Sequence, residues 1–159
     1  MIKVPLWAKI TIGVVTCLLV GFLAGISTKE VIDTWYASLN KPSFNPPNWI
    51  FAPVWTLLYS MMGISAGIIW HQGWGRNEVS SALMLFLAQL VVNGLWSVIF
   101  FGTQSPKAAL IIIVGLWILL FYTIRKFLLL NRWAGYLLIP YLLWVSFATL
   151  LNGGIVYLN

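Results

Sequence analysis

Five apolar segments, near residues 7–27, 50–70, 79–101, 107–124 and 133–156, constrain this chain more than any other feature. An α-helix rises 1.5 Å per residue, so roughly 20 residues cross the hydrocarbon of a bilayer. Inside lipid an unpaired peptide group finds no water, which leaves the helix as the form that isolated segments of this length take. Charged residues are absent from Pro42 through Gly75, from Val79 through Pro106 and from Trp133 onward. With 61% of its residues hydrophobic and 8% charged, the chain has more apolar surface than a water-soluble fold of this size could hide. The expected fold class is therefore all-α: a polytopic membrane protein, a five-transmembrane-helix bundle forming one domain over residues 1–159. The first segment follows Lys3 and Lys9 as in a signal peptide, but Ile10–Ile26 is long and Ala24-Gly25-Ile26 is a poor cleavage motif, so it is read as a retained helix.

The connections differ in kind. Thr28–Asn48 is long, polar and rich in proline, whereas His71–Glu78, Gly102–Pro106 and Arg125–Arg132 are short turns that make successive helices antiparallel neighbours. Lys3, Lys9, Arg76, Arg125, Lys126 and Arg132 fall on one side, and Lys29, Lys41 and Lys107 on the other. The richer side is expected to face the cytoplasm, which puts the N-terminus inside and the long connection outside a bacterial cell membrane. No internal repeat suggests the inverted halves of many transporters.

Several chemistries are excluded early. No carboxylate, Lys or Arg lies within the central spans to mark an ion path, which argues against a pump. The net charge of +6 comes from cations spread singly between apolar runs, so nucleic acid is not an expected partner. Cys17 is the only cysteine, which rules out an intrachain disulfide or a CxxC pair. His71, the one histidine, sits at a span end beside Gln72 and Gly73, where a solvated interfacial role explains it better than haem ligation, and no metal site is expected. No conventional catalytic constellation is present.

What remains is a set of aromatic and amide lines. Gln89, Asn93, Trp96 and Phe100 recur at spacings of four, three and four, placing them on one face of the third helix. Trp144, Ala148 and Asn152 do the same on the fifth, and Trp55, Tyr59 and Met62 on the second. Together they could wall a flat apolar ligand while the amides orient it; equally, the amides could tie helices together at about 0.6 kcal/mol per hydrogen bond, with the rings only packing. Trp7, Trp70, Trp74 and Trp133 suit interfacial anchoring. Gly13, Cys17, Gly21 and Gly25, with Gly63 and Gly67, repeat every four residues and predict close helix approach, within the chain or between copies.

Longer motifs carry a resemblance. Residues 35–49 read WYASLNKPSFNPPNW and residues 53–59 PVWTLLY; the third helix adds Gln89, Asn93, Trp96 and the run IFFG at 99–102, and the fifth reads PYLLWVSFATLLN over 140–152. In this order and on these spans the chain resembles the translocator protein, or tryptophan-rich sensory protein, family over nearly its whole length. The resemblance implies a pocket between the helices beneath the first connection, binding porphyrins such as protoporphyrin IX or a haem-like tetrapyrrole, and isoquinoline or benzodiazepine-type drugs. Porphyrin is implied as ligand, with no obligate cofactor. Carried over by motif position, the contacts include Trp49, Trp55, Tyr59, Asn93, Trp144 and Ala148; the helix faces add Trp35, Gln89, Trp96, Phe100 and Asn152 as ligand-binding candidates. Pro42, Pro46 and Pro47 fix φ and remove amide donors, so the connection is expected to act as a rigid lid braced by Trp35 and Trp49. Two departures stand out: Phe44 replaces the usual Trp after Lys-Pro-Ser, and Tyr157 lacks the following Lys or Arg of the animal sterol motif.

Three functions follow as expectations. The first is a membrane tetrapyrrole-binding sensor or transport-associated regulator. The second, also implied by the resemblance, is light- and oxygen-dependent breakdown of protoporphyrin IX, with Trp55 and Trp144 as the catalytic, redox-active indoles. The third is a structural bundle or transporter subunit. Expected partners are a porphyrin or other flat apolar molecule, membrane lipid and a second copy of the chain in a homodimer.

Overall fold

The structure, a computed structural model, describes residues 4–159; Lys3, counted above for orientation, lies outside them. The described chain is helical without strands: α1 (Leu6–Lys29), α2 (Trp35–Ser38), a 3-10 turn (Asn48–Ile50), α3 (Phe51–His71), α4 (Asn77–Ser97), a π-helical turn (Val98–Gly102), α5 (Pro106–Leu130), α6 (Arg132–Leu137) and α7 (Ile139–Leu158). Five stretches are long and apolar enough to cross a bilayer, α6 and α7 together making the fifth. Large apolar side chains such as Leu19, Val91, Ile111, Leu129 and Leu150 face outward, where lipid solvates them.

Two boundaries differ from the sequence expectation. The fourth span does not end at residue 124; α5 runs through Arg125 and Lys126 to Leu130. Both cations are exposed while Phe127, the next residue, is fully buried and stacks on Phe86, centroids 5.8 Å apart. Their long stems carry the charge outward, so they interrupt neither the helix nor its packing. Asn131 alone then turns the chain, its side-chain oxygen accepting from the Ala134 N–H at 3.1 Å as the cap of α6. The fifth span breaks at Leu138, because Pro140 has no N–H to offer and its ring would strike the carbonyl one turn back.

The glycine spacing predicted close approach, and α1 and α3 form the most extensive helix pair of the fold. A Cβ on Gly63 would run into the Val14 backbone, one on Gly67 would stand 2.6 Å from the Ile10 Cα, and one on Gly21 would enter the Tyr59 ring. Gly25 is the exception, for a Cβ there meets nothing within 4 Å. The seam thus closes at one half of the pair and is absent at the other.

The first connection covers the end of the bundle on that open side. Its α2 forms ahead of the prolines, and the chain from Leu39 to Pro47 has no regular helix, as proline chemistry requires. The Lys41 ammonium donates to the carbonyls of Tyr36, Leu39 and Ala37 at 2.8, 2.9 and 3.2 Å and stands 5.0 Å from the Tyr36 ring centroid. The Tyr36 hydroxyl donates to Asn45 Oδ1 at 2.8 Å, and Pro42 lies so close to Gly154 of α7 that a Cβ there would strike its ring. A second small core of Tyr36, Phe100, Ala109, Leu151 and Ile155 sits beneath, separate from the main one around Met62, Leu116 and Tyr141.

Candidate functional site

Between α1, α3, α4 and α7, under the first connection, lies a cavity of about 450 Å³. That is within the range of small-molecule sites, roughly 300–1,000 Å³. Its wall holds Trp55, Tyr59, Asn93, Trp96, Phe100, Trp144, Ala148 and Asn152, eight of the eleven ligand-binding candidates read from the sequence. The helical spacing explains the convergence: three lines on three helices each turn one face inward. No Asp, Glu, Lys, Arg or His lines it among the described residues.

Three candidates lie elsewhere. Gln89 is fully buried on the Asn93 face but one turn deeper, within the helix packing. Trp35 braces the connection from above, its ring edge-on to Phe100 with centroids 5.7 Å apart. Trp49 is 73% exposed and braces nothing; it belongs to the 3-10 turn, whose geometry swings it outward. Phe44 likewise stands half exposed, against Phe147 at 6.1 Å, outside the cavity wall.

The aromatic wall is built ring against ring. Trp55 contacts Tyr59 at 5.5 Å, Tyr141 at 6.2 Å and Trp144 at 6.4 Å between centroids, and Trp96 lies 5.5 Å from Phe100. Mutual packing at edge-on and tilted angles restricts each ring's rotamer and so gives the wall a fixed shape. The π-helical turn after α4 adds one residue to its turn, and Phe100 on it reaches the cavity.

A polar network backs this wall. The Tyr59 hydroxyl donates to Asn93 Oδ1, Asn93 Nδ2 donates to the Tyr141 hydroxyl at 2.7 Å, and that hydroxyl donates to Gln89 Oε1 at 3.0 Å. Asn93 therefore both ties helices and faces the cavity, where its second amide N–H and the Tyr59 oxygen lone pairs can meet a ligand's polar atoms. Asn152 plays a parallel part: its Oδ1 accepts from the Trp96 indole at 3.2 Å, its Nδ2 donates to the Pro106 carbonyl at 2.8 Å, and it too lines the cavity. Gln89 Nε2 has no protein partner among the described residues.

Sequence reasoning did not find the α1 side of the site. Gly21, Phe22, Ala24, Gly25 and Thr28 line the cavity, as do Ile32 and Tyr36 from the connection and Phe51, Ala52 and Thr56 from the start of α3. Gly21, Gly25 and Thr28 share one face at helical spacing, a signal that was present. It was masked because glycine marks both a close helix approach and an open space. At the other end of α1 a smaller cleft of about 130 Å³ lies between Gly13, Ala66 and Leu83.

Comparison with known proteins agrees with this architecture. Residues 13–158 match the model of the TspO/MBR family. The chain is 47% identical to the tryptophan-rich protein TspO of Chlorobaculum tepidum over 143 residues, 90% of each chain. It is 41% identical to the tryptophan-rich protein TspO of Archaeoglobus fulgidus over 95% of this chain and 97% of the relative, and 38% identical to the translocator protein of Bos taurus over 83% and 79%. With five membrane-spanning stretches, a match over nearly its whole length and this degree of identity, the chain is an integral membrane protein that belongs to the TspO/MBR family.

Proposed function

We propose that this protein binds tetrapyrroles in the membrane and acts as a sensor or transport-associated regulator of them. The observation that carries the reading is the cavity, lined by Trp55, Trp96 and Trp144 from three helices and bearing side-chain amides only at Asn48, Asn93 and Asn152. Flat rings bind flat rings, and a macrocycle with a few inward-facing nitrogens suits a site that is apolar with sparse hydrogen-bonding groups. Isoquinoline and benzodiazepine-type drugs are aromatic and largely apolar too, and the proposal extends to them. The test is titration of purified protein with protoporphyrin IX in the dark, following quenching of tryptophan fluorescence. Saturable quenching that weakens by about tenfold in Trp144→Ala supports the reading, since ring contacts contribute about 0.5–1.5 kcal/mol beyond buried area. Quenching that does not saturate, or that Trp144→Ala leaves unchanged, counts against it.

A second reading, light- and oxygen-dependent degradation of protoporphyrin IX, is favoured by one observation: Trp55 and Trp144 both line the cavity with rings 6.4 Å apart at 87°. The porphyrin is the compound oxidised and dioxygen the oxidant, and the indoles pass electrons between them. The homodimer and the cytoplasmic N-terminus are parts of the same proposal. Crosslinking in native membranes that gives only monomers would remove the dimer, and protease protection of an N-terminal tag on the cytoplasmic side is the outcome expected for the topology.

A further inference from the structure

The cavity is not closed on its α1–α3 side. Phe22 is 69% exposed and yet lines it, and Gly25, Ala52 and Thr56 are likewise both exposed and lining. The glycine seam explains why: α1 and α3 touch backbone to backbone at Gly13 and Gly63, but beyond Gly21 nothing stands within 4 Å of where a Gly25 Cβ would be. Both helices are membrane spans, so the gap between them faces lipid acyl chains, not water.

Along α1, Phe22, Gly25 and Lys29 are spaced by three and four, which puts the Lys29 stem on the same face as the gap, one turn closer to the membrane surface. Lys29 ends α1, is exposed, and adjoins Thr28, which lines the cavity. The other cations of this side are occupied or distant. Lys41 is held by three carbonyls, and Lys107 begins α5, which contributes no lining residue. Glu30 follows Lys29 directly and Asp33 lies four residues on; neither lines the cavity.

Resting on the tetrapyrrole reading, we propose that the cavity takes a planar apolar acid, which enters sideways from the lipid between α1 and α3 and keeps its carboxylates at the rim on the Lys29 ammonium. The apolar ring system goes where the wall has no charge, and the carboxylates stay where water and a cation meet them, avoiding the cost of burying an anion. Phe22 and Gly25 flank the passage.

The experiment compares protoporphyrin IX with its dimethyl ester in lipid nanodiscs in the dark, using the parent, Lys29→Gln and Lys29→Arg. Lys29→Gln is expected to weaken the diacid by about fivefold, the scale of one exposed ion pair, while the ester changes by less than about twofold and Lys29→Arg restores the diacid. An equal loss for acid and ester, or no loss for either, overturns the Lys29 anchor while leaving the pocket standing. A parent that binds neither compound overturns the tetrapyrrole reading and this inference with it. The lateral route is read from stopped-flow rates in Gly25→Trp, where an added Cβ meets nothing within 4 Å. Association and dissociation should both slow by about tenfold or more, the scale at which a blocked passage separates from side-chain perturbation. Unchanged rates overturn the route.

Discussion

Trp144 and Trp55 meet in a T-shaped pair at a centroid separation of 6.4 Å and an interplanar angle of 87°, and both rings border the same cavity. Nothing in the wall between them is charged, so a radical cation on either indole has no neighbouring carboxylate to take its proton. Electron passage between the two rings is the step that the degradation reading asks of this pair.

The first prediction separates binding from photochemistry. Trp144→Phe keeps an aromatic wall and is expected to hold dark affinity for protoporphyrin IX within about threefold, because ring burial is mostly conserved. Under illumination in air, recording of the porphyrin absorption spectrum should show conversion slowed in the variant if the indole carries electrons. Equal rates in variant and parent would exclude a redox role for Trp144.

Asn93 links Tyr59 on α3 to Tyr141 on α7, so Asn93→Leu leaves the Tyr59 hydroxyl without its acceptor and the Tyr141 hydroxyl with only its bond to Gln89. The expected loss is about 1–2 kcal/mol, above the ~0.6 kcal/mol of a typical membrane hydrogen bond because two bonds go and one buried hydroxyl is left unpaired. Thermal unfolding in detergent measures it. A variant as stable as the parent would mean that the network contributes nothing net.

How much of this was legible in the sequence depends on which physical signal each residue carried. The five spans were legible because lipid forces helix and hydropathy marks it, and the lines through Tyr59, Asn93 and Ala148 were legible because helical spacing fixes a face. Gln89 shows the limit: spacing gives a face but not a depth, and one turn separates the cavity wall from the packed interior. Trp49 shows another, since a motif position says nothing of the way a 3-10 turn aims its side chain. The α1 wall was hidden because Gly21 and Gly25 look alike in sequence, although one meets a ring and the other open space.

That difference is itself testable. Gly63→Leu must force α1 and α3 apart and is expected to cost about 1–3 kcal/mol or abolish folding, whereas Gly25→Ala should stay within about 0.5 kcal/mol of the parent. Unfolding midpoints of the two variants, measured side by side, check it; similar midpoints would contradict the one-sided seam.

Tyr36 lies outside the spans, and burial pushes its phenol up to about 12. An unfolded tyrosine ionises near pH 10, so between roughly pH 10 and 12 the unfolded chain has lost a proton that the folded one still holds. The stability contributed by neutral Tyr36 is complete below pH 10 and is lost as pH rises toward 12, loosening the connection that its hydroxyl ties to Asn45. Limited proteolysis of the connection should accelerate over that window in the parent, and Tyr36→Phe, already lacking the tie, should show a flatter profile. Identical profiles would remove Tyr36 from the account.

The most direct measurement is a crystal structure of the protein grown with zinc protoporphyrin, with anomalous scattering from the zinc used to locate the macrocycle. The account predicts an anomalous peak inside the cavity, between the rings of Trp55, Trp96 and Trp144 and beneath Tyr36. A peak on the outer helix faces, or in the cleft between Gly13 and Leu83 at the other end of α1, would contradict it.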